Sequence, residues 1–323
     1  MGGSVAHPLI GRYMPNLLLM RVIVLSSNYI EADCEKFIHE AEQVEEAYAE
    51  ACEWISSFGV PYQKTRFGIY EKDLEEFLKG GGPKDAKESV IMYMNAHREA
   101  NELVRIMNVY KSFDADEILE PIKKMTSGQR FRNATTKDQS RDFAFELGVA
   151  SRFIKAGYMV DLRGISDLVV DIGGTRLYVE CKRMKSFKQL GKRIQEANKQ
   201  IRTRLSSDRS SKSRGMIALN VTDIVMEHDA PLIFEKIEDY QQASAWTLKS
   251  FVMDNRETLA NKRVNKCLGV LTEFTTQGII FEPDTKKMFF ANIREGNVYE
   301  YPMSKTEHEF LNLFWKKLGN QDI

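Results

Sequence analysis

The stretch Ser166-Asp-Leu-Val-Val-Asp-Ile-Gly-Gly-Thr-Arg-Leu-Tyr-Val-Glu-Cys-Lys-Arg183 leaves the chain few choices. Leu168 to Ile172 is a short, mostly apolar run, Gly173-Gly174 signals a hairpin turn, and Arg176 to Cys181 resumes the strand pattern. Strand alternation sends Tyr178, Glu180 and Lys182 to one face and Leu177, Val179 and Cys181 to the other, where they can pack into a core. A carboxylate and an ammonium therefore share a face at a strand end, and Asp167 starts the partner strand. Two carboxylates converging across a hairpin can hold a hard divalent cation through oxygen. A neighbouring lysine can orient water or steady developing negative charge. A surface hairpin with an ordinary charge pair is the competing reading of the same residues.

Asp167 followed by Glu180-Cys181-Lys182 resembles the Asp…Glu-x-Lys signature of the PD-(D/E)xK nuclease superfamily, which has a restriction-endonuclease-like fold. Ser166 stands where that family often has Pro. The resemblance covers roughly Lys137 to Asp223. It implies Mg²⁺ or Mn²⁺ held by Asp167, Glu180 and the backbone carbonyl of Cys181, with Lys182 at the reacting phosphate. The helix before the first strand often carries a further acidic site residue in this superfamily. Glu146, beside the apolar stripe of an expected helix over Asp138 to Ala156, matches that place. Some branches also carry a glutamine on the helix after the lysine. Gln195 and Gln200 both match, and Gln200, next to Ile201, is the preferred choice.

The elements around the motif fall in a matching order. A helix over Asp138 to Ala156, with Phe143, Leu147, Ala150 and Ile154 as its stripe, precedes a short strand over Tyr158 to Leu162. The hairpin follows, then a helix from about Phe187 to Leu205, then a buried strand over Gly215 to Val221. The expected architecture is α/β, an αβββαβ core in the restriction-endonuclease-like manner. A mainly helical region over 1–125 precedes it, and 126–323 forms the nuclease-like domain with a strand and helix extension. Ser127 to Lys137, polar and basic, reads as a linker.

The formal net charge of the 323 residues is zero, so a nucleic-acid partner has to be met by uneven charge. Lys182 to Arg214 supplies it, with Lys185, Lys188, Lys192, Arg193, Lys199, Arg202, Arg204, Arg209, Lys212 and Arg214 against Glu196 and Asp208. That density suits phosphate neutralisation along a DNA backbone, although a solvated helix face has the same composition. Cys34, Cys52, Cys181 and Cys267 form no CxxC pair and suggest reduced thiols in a cytoplasmic protein. His39-Glu40 starts no HExxH, which removes support for zinc hydrolysis. No run approaches the roughly 18 apolar residues of a membrane span, and Leu17 to Leu25 is broken by Arg21.

Elsewhere the periodicity predicts helices over Glu31 to Ser56, Lys72 to Leu78 and Lys84 to Val109. A shorter one after Asp114 should be limited by Pro121. Helical segments over Phe234 to Arg263, with Trp246, Leu248 and Phe251 in the core, lead to strands at Cys267 to Thr272, Gly278 to Phe281 and Lys287 to Ile293. Pro283-Asp284 reads as a turn rather than a second motif. A helix over Glu307 to Leu318 closes the chain. The first functional expectation is a metal-dependent nuclease acting on DNA. The alternatives are a non-catalytic nucleic-acid-binding module of the same fold, or a protein-interaction scaffold on the N-terminal helices. A homodimer or a protein partner is compatible with each.

Overall fold

A computed structural model describes residues 29–30, 41–132, 137–162, 167–225, 232–284, 286–319 and 321. The readings at Leu17 to Leu25, Cys34, His39-Glu40, Arg163-Gly164 and Ser166 lie outside these residues. In chain order come β1 (Tyr29–Ile30), α1 (Ala41–Ser57), α2 (Arg66–Leu78), α3 (Ala86–Tyr110) and α4 (Ala115–Thr126). Next are α5 (Gln139–Lys155), β2 (Met159–Asp161), β3 (Leu168–Ile172), β4 (Thr175–Arg183), α6 (Leu190–Ser207) and β5 (Arg214–Asn220). The chain continues through α7 (Thr222–Val225), β6 (Leu232–Phe234), α8 (Ile237–Asp254) and α9 (Arg256–Leu259). It ends with β7 (Cys267–Glu282), β8 (Lys287–Glu300) and α10 (Lys305–Phe314).

The strands form one mixed sheet in the order β1-β8-β7-β5-β4-β3-β2, with β6 also paired to β7. β4–β5 and β5–β7 are parallel, whereas β2–β3, β3–β4 and β7–β8 are antiparallel. Strand alternation then sorts the core into two layers. Leu177, Val179 and Cys181 of β4, with Met216 and Ala218 of β5, pack towards α1 to α5. Ile217 and Leu219 of β5 pack the other way, against Leu190, Ile194, Ala197 and Ile201 of α6 and Leu248 and Phe251 of α8. The N-terminal helices and the 137–223 unit thus share one apolar layer, from Tyr48 and Phe67 through Leu103 and Ile122 to Leu147 and Val179. No helix among the described residues is long and apolar enough to cross a membrane.

Several boundaries differ from the sequence expectation. α4 runs through Pro121 to Thr126. Proline forfeits one backbone hydrogen bond there, and the burial of Ile118, Ile122 and Met125 holds the helix on. α2 begins at Arg66, because the Thr65 hydroxyl caps it by accepting from the Phe67 N–H. Phe234 belongs to a strand rather than a helix, and Trp246 is only half-buried. The two strands expected after Cys267 are one, β7, continuous through the polar run Glu273-Phe-Thr-Thr-Gln277. Pro283 and Asp284 lie in the β7–β8 turn.

β7 carries one irregularity that the sheet requires. Cys267 and Val270 face one layer, whereas Leu268 and Leu271 face the other. That parity slips by one residue, and the pairing with β5 slips with it, from Gly215↔Cys267 to Ile217↔Val270. Gly269 is the extra residue of this bulge, at φ +151°, and a Cβ there would overlap the carbonyl oxygen of Tyr299. Gly269→Ala should cost about 2–4 kcal/mol in urea denaturation, from overlap and strain together. Gly174→Ala, at φ +82° with open space around it, should cost only about 1–2 kcal/mol. Equal losses at the two positions would contradict the packing constraint at the bulge.

Candidate active site

The hairpin turn is built as its glycines require. Gly173 and Gly174 both take positive φ, 59° and 82°, and the Asp171 side chain accepts from the Gly174 N–H at 2.7 Å. The turn fixes the register, which pairs Ile172 with Thr175 and Leu168 with Val179. One residue further on, Asp167 therefore stands opposite Glu180. Its Oδ2 accepts from the Cys181 N–H at 2.7 Å, which ties it to the end of β4. Lys182 Nζ reaches both carboxylates, at 2.7 Å from Glu180 Oε1 and 3.8 Å from Asp167 Oδ2.

Glu180 is only 1% exposed, and its second oxygen, Oε2, has no hydrogen-bond partner. Burial raises its pKa most. Lys182 works against that, and Asp167 adds to it. Glu146, half-buried on α5, belongs to the same group. Burial, with the nearby Asp167 opposed by Lys182, pushes its carboxyl up to about 8. Lys182 is held above its usual range, because Glu180 and Asp167 outweigh the burial that would lower it. Three carboxylates thus share one ammonium.

Of the expected site residues, Glu146, Asp167, Glu180, Cys181 and Lys182 come together. The Cys181 thiol is buried and its pKa raised by that burial, so only its backbone is available as a ligand. Among the described residues no three His, Cys, Asp or Glu side chains are already gathered as a metal cage. The donor chemistry nevertheless fits a hard cation. A buried carboxylate oxygen is left without a partner, and negative charge exceeds positive around it.

Gln200 is placed apart from this group. Its neighbour Ile201 sits against Gly215 at the start of β5, whereas Lys182 pairs with Leu219. Four residues of strand, or about 13 Å, separate the two levels. α6 follows β4 and returns to the start of β5, so its first turns, with Gln195, lie nearer the carboxylates. The basic residues divide likewise. Lys188, Lys192 and Arg193 are exposed at the near end, and Lys199 and Arg202 are exposed further along. Lys192 and Arg193 both reach Glu196, at 3.9 and 3.1 Å. Arg204 is half-buried. Lys185 turns inward, donating to the Arg132 carbonyl at 2.7 Å and lying 3.5 Å from Asp138.

Sequence reasoning missed what lies directly behind the site. Six buried side chains close an alternating ring. Glu99 meets Arg132 at 3.0 Å, and Arg132 meets Asp223 at 3.1 Å. Asp223 meets Arg183 at 2.7 Å, and Arg183 meets Asp138 at 3.4 Å. Asp138 meets Arg141 at 2.7 Å, and Arg141 returns to Glu99 at 2.9 Å. Each is at most 9% exposed. Burial works to raise the Glu99 pKa, but Arg141, Arg132 and Arg66 hold it well below the usual carboxylate range. Residues 127–132, expected as linker, are therefore fixed in place, with Arg66 also donating to the Met125 and Ser127 carbonyls. Only Asp223, in Val221-Thr-Asp-Ile-Val225, stands in an apolar stretch; the other five lie in polar surroundings that carry no local signal.

The raised Glu146 pKa has a consequence for stability. Its ordinary value is 4.5 and its folded value about 8, so the folded chain binds the extra proton between them. Its contribution is present at low pH and is lost as pH rises through that window. In EDTA, the melting temperature of Glu146→Gln relative to the parent should climb between pH 5 and 8. A difference that stays flat would contradict the burial of Glu146 beside Asp167.

No protein-family model, no curated protein and no solved structure matches this chain.

Proposed function

We propose that the chain is a metal-dependent nuclease hydrolysing phosphodiester bonds in DNA, built on a restriction-endonuclease-like core. The observation that carries this reading is the end of β4. Asp167 and Glu180 are opposed across the hairpin, Lys182 reaches both, and a Glu180 oxygen is buried without a partner. The order helix, three strands, helix, strand supports it, with β2 to β5 adjacent in the sheet and β4–β5 parallel.

Asp167, Glu180, Glu146 and the Cys181 carbonyl are the groups that would hold Mg²⁺ or Mn²⁺. Such an ion supplies Lewis-acid polarisation of a phosphoryl oxygen and a more acidic bound water. The chain's own residues do the rest. The Lys182 ammonium is aimed by Glu180 and Asp167, so it can stabilise negative charge growing on a phosphoryl oxygen. Glu146, whose carboxyl burial and Asp167 raise to about 8 in the metal-free site, would be ionised by a cation there, so it acts as a ligand and gives up its proton on binding. Lys188, Lys192 and Arg193 at the near end of α6 can take flanking phosphates.

Purified chain incubated with plasmid, linear duplex and single-stranded DNA should cleave in Mg²⁺ or Mn²⁺ and not in EDTA. Glu180→Gln and Asp167→Asn should each lower the rate by at least about 100-fold while melting cooperatively. Replacing Lys188, Lys192 and Arg193 together by Ala should weaken DNA binding and flatten its salt dependence. Undiminished cleavage in Glu180→Gln would sink the reading. Salt-sensitive binding without metal-dependent turnover would favour a binding module instead.

A further inference from the structure

We infer that the buried ring of Glu99, Arg132, Asp223, Arg183, Asp138 and Arg141 is a positioning device for the carboxylate site, with Arg183 as its working member. This rests on the nuclease reading above. Arg183 immediately follows Lys182 on β4, and strand alternation turns it to the opposite face, where its side chain is 1% exposed. There its guanidinium is fixed from three directions. It donates to Asp223 Oδ2 at 2.7 and 3.2 Å, to Asp138 Oδ2 at 3.4 Å and to the Asp138 carbonyl at 3.3 Å. Its Nη1 also lies 3.3 Å from Asp142, one turn before Glu146 on α5.

The partners explain why this bears on the site. Asp138 caps α5, the helix that carries Glu146, by accepting from the Arg141 N–H. Asp223 begins the turn after β5, the strand paired with β4 through Lys182↔Leu219. Arg183 thus holds the end of β4 against the start of α5 and the exit of β5. Those are the motions that would part Glu146 from Glu180 and Lys182. Glu99 of α3 and Arg132 close the ring from the other side, so the N-terminal helices take part in aiming the site.

Only the geometry of the fork is specific to arginine, because lysine keeps the charge but cannot bridge two carboxylates in fixed directions. Arg183→Lys in the full chain should therefore fold yet lose roughly 10–100-fold in cleavage rate and in Mn²⁺ affinity measured by calorimetry without DNA. Asp138→Asn opens the same ring from the helix side and keeps a good cap, and it should behave alike if Arg183→Lys does not fold. The control is Arg152→Lys, which disturbs another buried ion pair, Arg152–Glu273 at 3.2 Å. It should lower the melting temperature but leave rate and Mn²⁺ affinity unchanged.

A folded Arg183→Lys or Asp138→Asn with parental rate and Mn²⁺ affinity would overturn the positioning role and leave the nuclease reading standing. So would an equal loss in Arg152→Lys. A parental chain without metal-dependent cleavage of any of the three DNA forms would overturn both.

Discussion

Six charges buried in one closed ring set the terms for the rest of the molecule. Taking an ion out of water costs several kcal/mol even after relaxation, and a buried pair recovers this only with good geometry. The ring meets that demand by alternating three guanidiniums with three carboxylates, so each charge is flanked by at least two of opposite sign, with Arg66, Lys185 and Asp142 as further partners of Glu99, Asp138 and Arg183. An apolar replacement of equal volume is often as stable. What apolar packing lacks is direction. Each guanidinium fork fits its carboxylates in one orientation, and a slip of any member strands a charge. The ring draws on α3, the segment after α4, the start of α5, the end of β4 and the turn after β5. It fixes the relative placement of elements that apolar contacts alone would leave free to slide.

The site beside it is the electrostatic opposite. Around Lys182 stand Asp167, Glu180 and Glu146, three carboxylates to one ammonium, and burial above all, with Asp167 adding to it, raises the carboxyls of Glu180 and Glu146. In a half-buried place such a surplus is relieved by binding protons or a cation, or by moving apart. Moving apart is what the ring resists. The two zones are therefore complementary, one balanced and rigid, the other unbalanced and held in that state by its neighbour.

How much of this could be read from the sequence depended on the range of the interaction. The hairpin was legible because Gly173-Gly174 fixes its own register, and the opposition of Asp167 and Glu180 follows by counting. The order of elements from α5 to β5 was legible from periodicity. Gln200 lies on α6 at the level of Gly215 rather than that of Lys182, because composition does not say where along the strand a helical turn lies. β7 was broken in two because Glu273, Thr275 and Gln277 look like a loop. In the fold Glu273 is buried against Arg152 and Arg294, so its polarity is paired rather than solvated. The ring was out of reach altogether. Arg132 and Asp223 are 91 residues apart, and Arg183 and Asp138 are 45 apart. No local pattern announces such partners, and the basic run that opens at Ser127 reads as a linker until the partners of Arg130 and Arg132 are seen.

The end of β4 joins the two zones through the plainest property of a strand. Consecutive side chains point to opposite faces, so Glu180 and Lys182 go to one side and Cys181 and Arg183 to the other. Glu180 and Lys182 are thereby separated from Arg183 by the width of the sheet, yet tied to it by adjacent peptide bonds. The Cys181 N–H, bonded to Asp167, adds a second tie at the same place. A shift of β4 by one residue would put Arg183 among the carboxylates and Lys182 into the ring. Both zones would be disrupted together, since the ring is built on a fork and the carboxylates on a compact ammonium. The register of one short hairpin thus sets both zones at once, and its two-glycine turn, with open space around it, acts on them only through the pairing of β3 with β4.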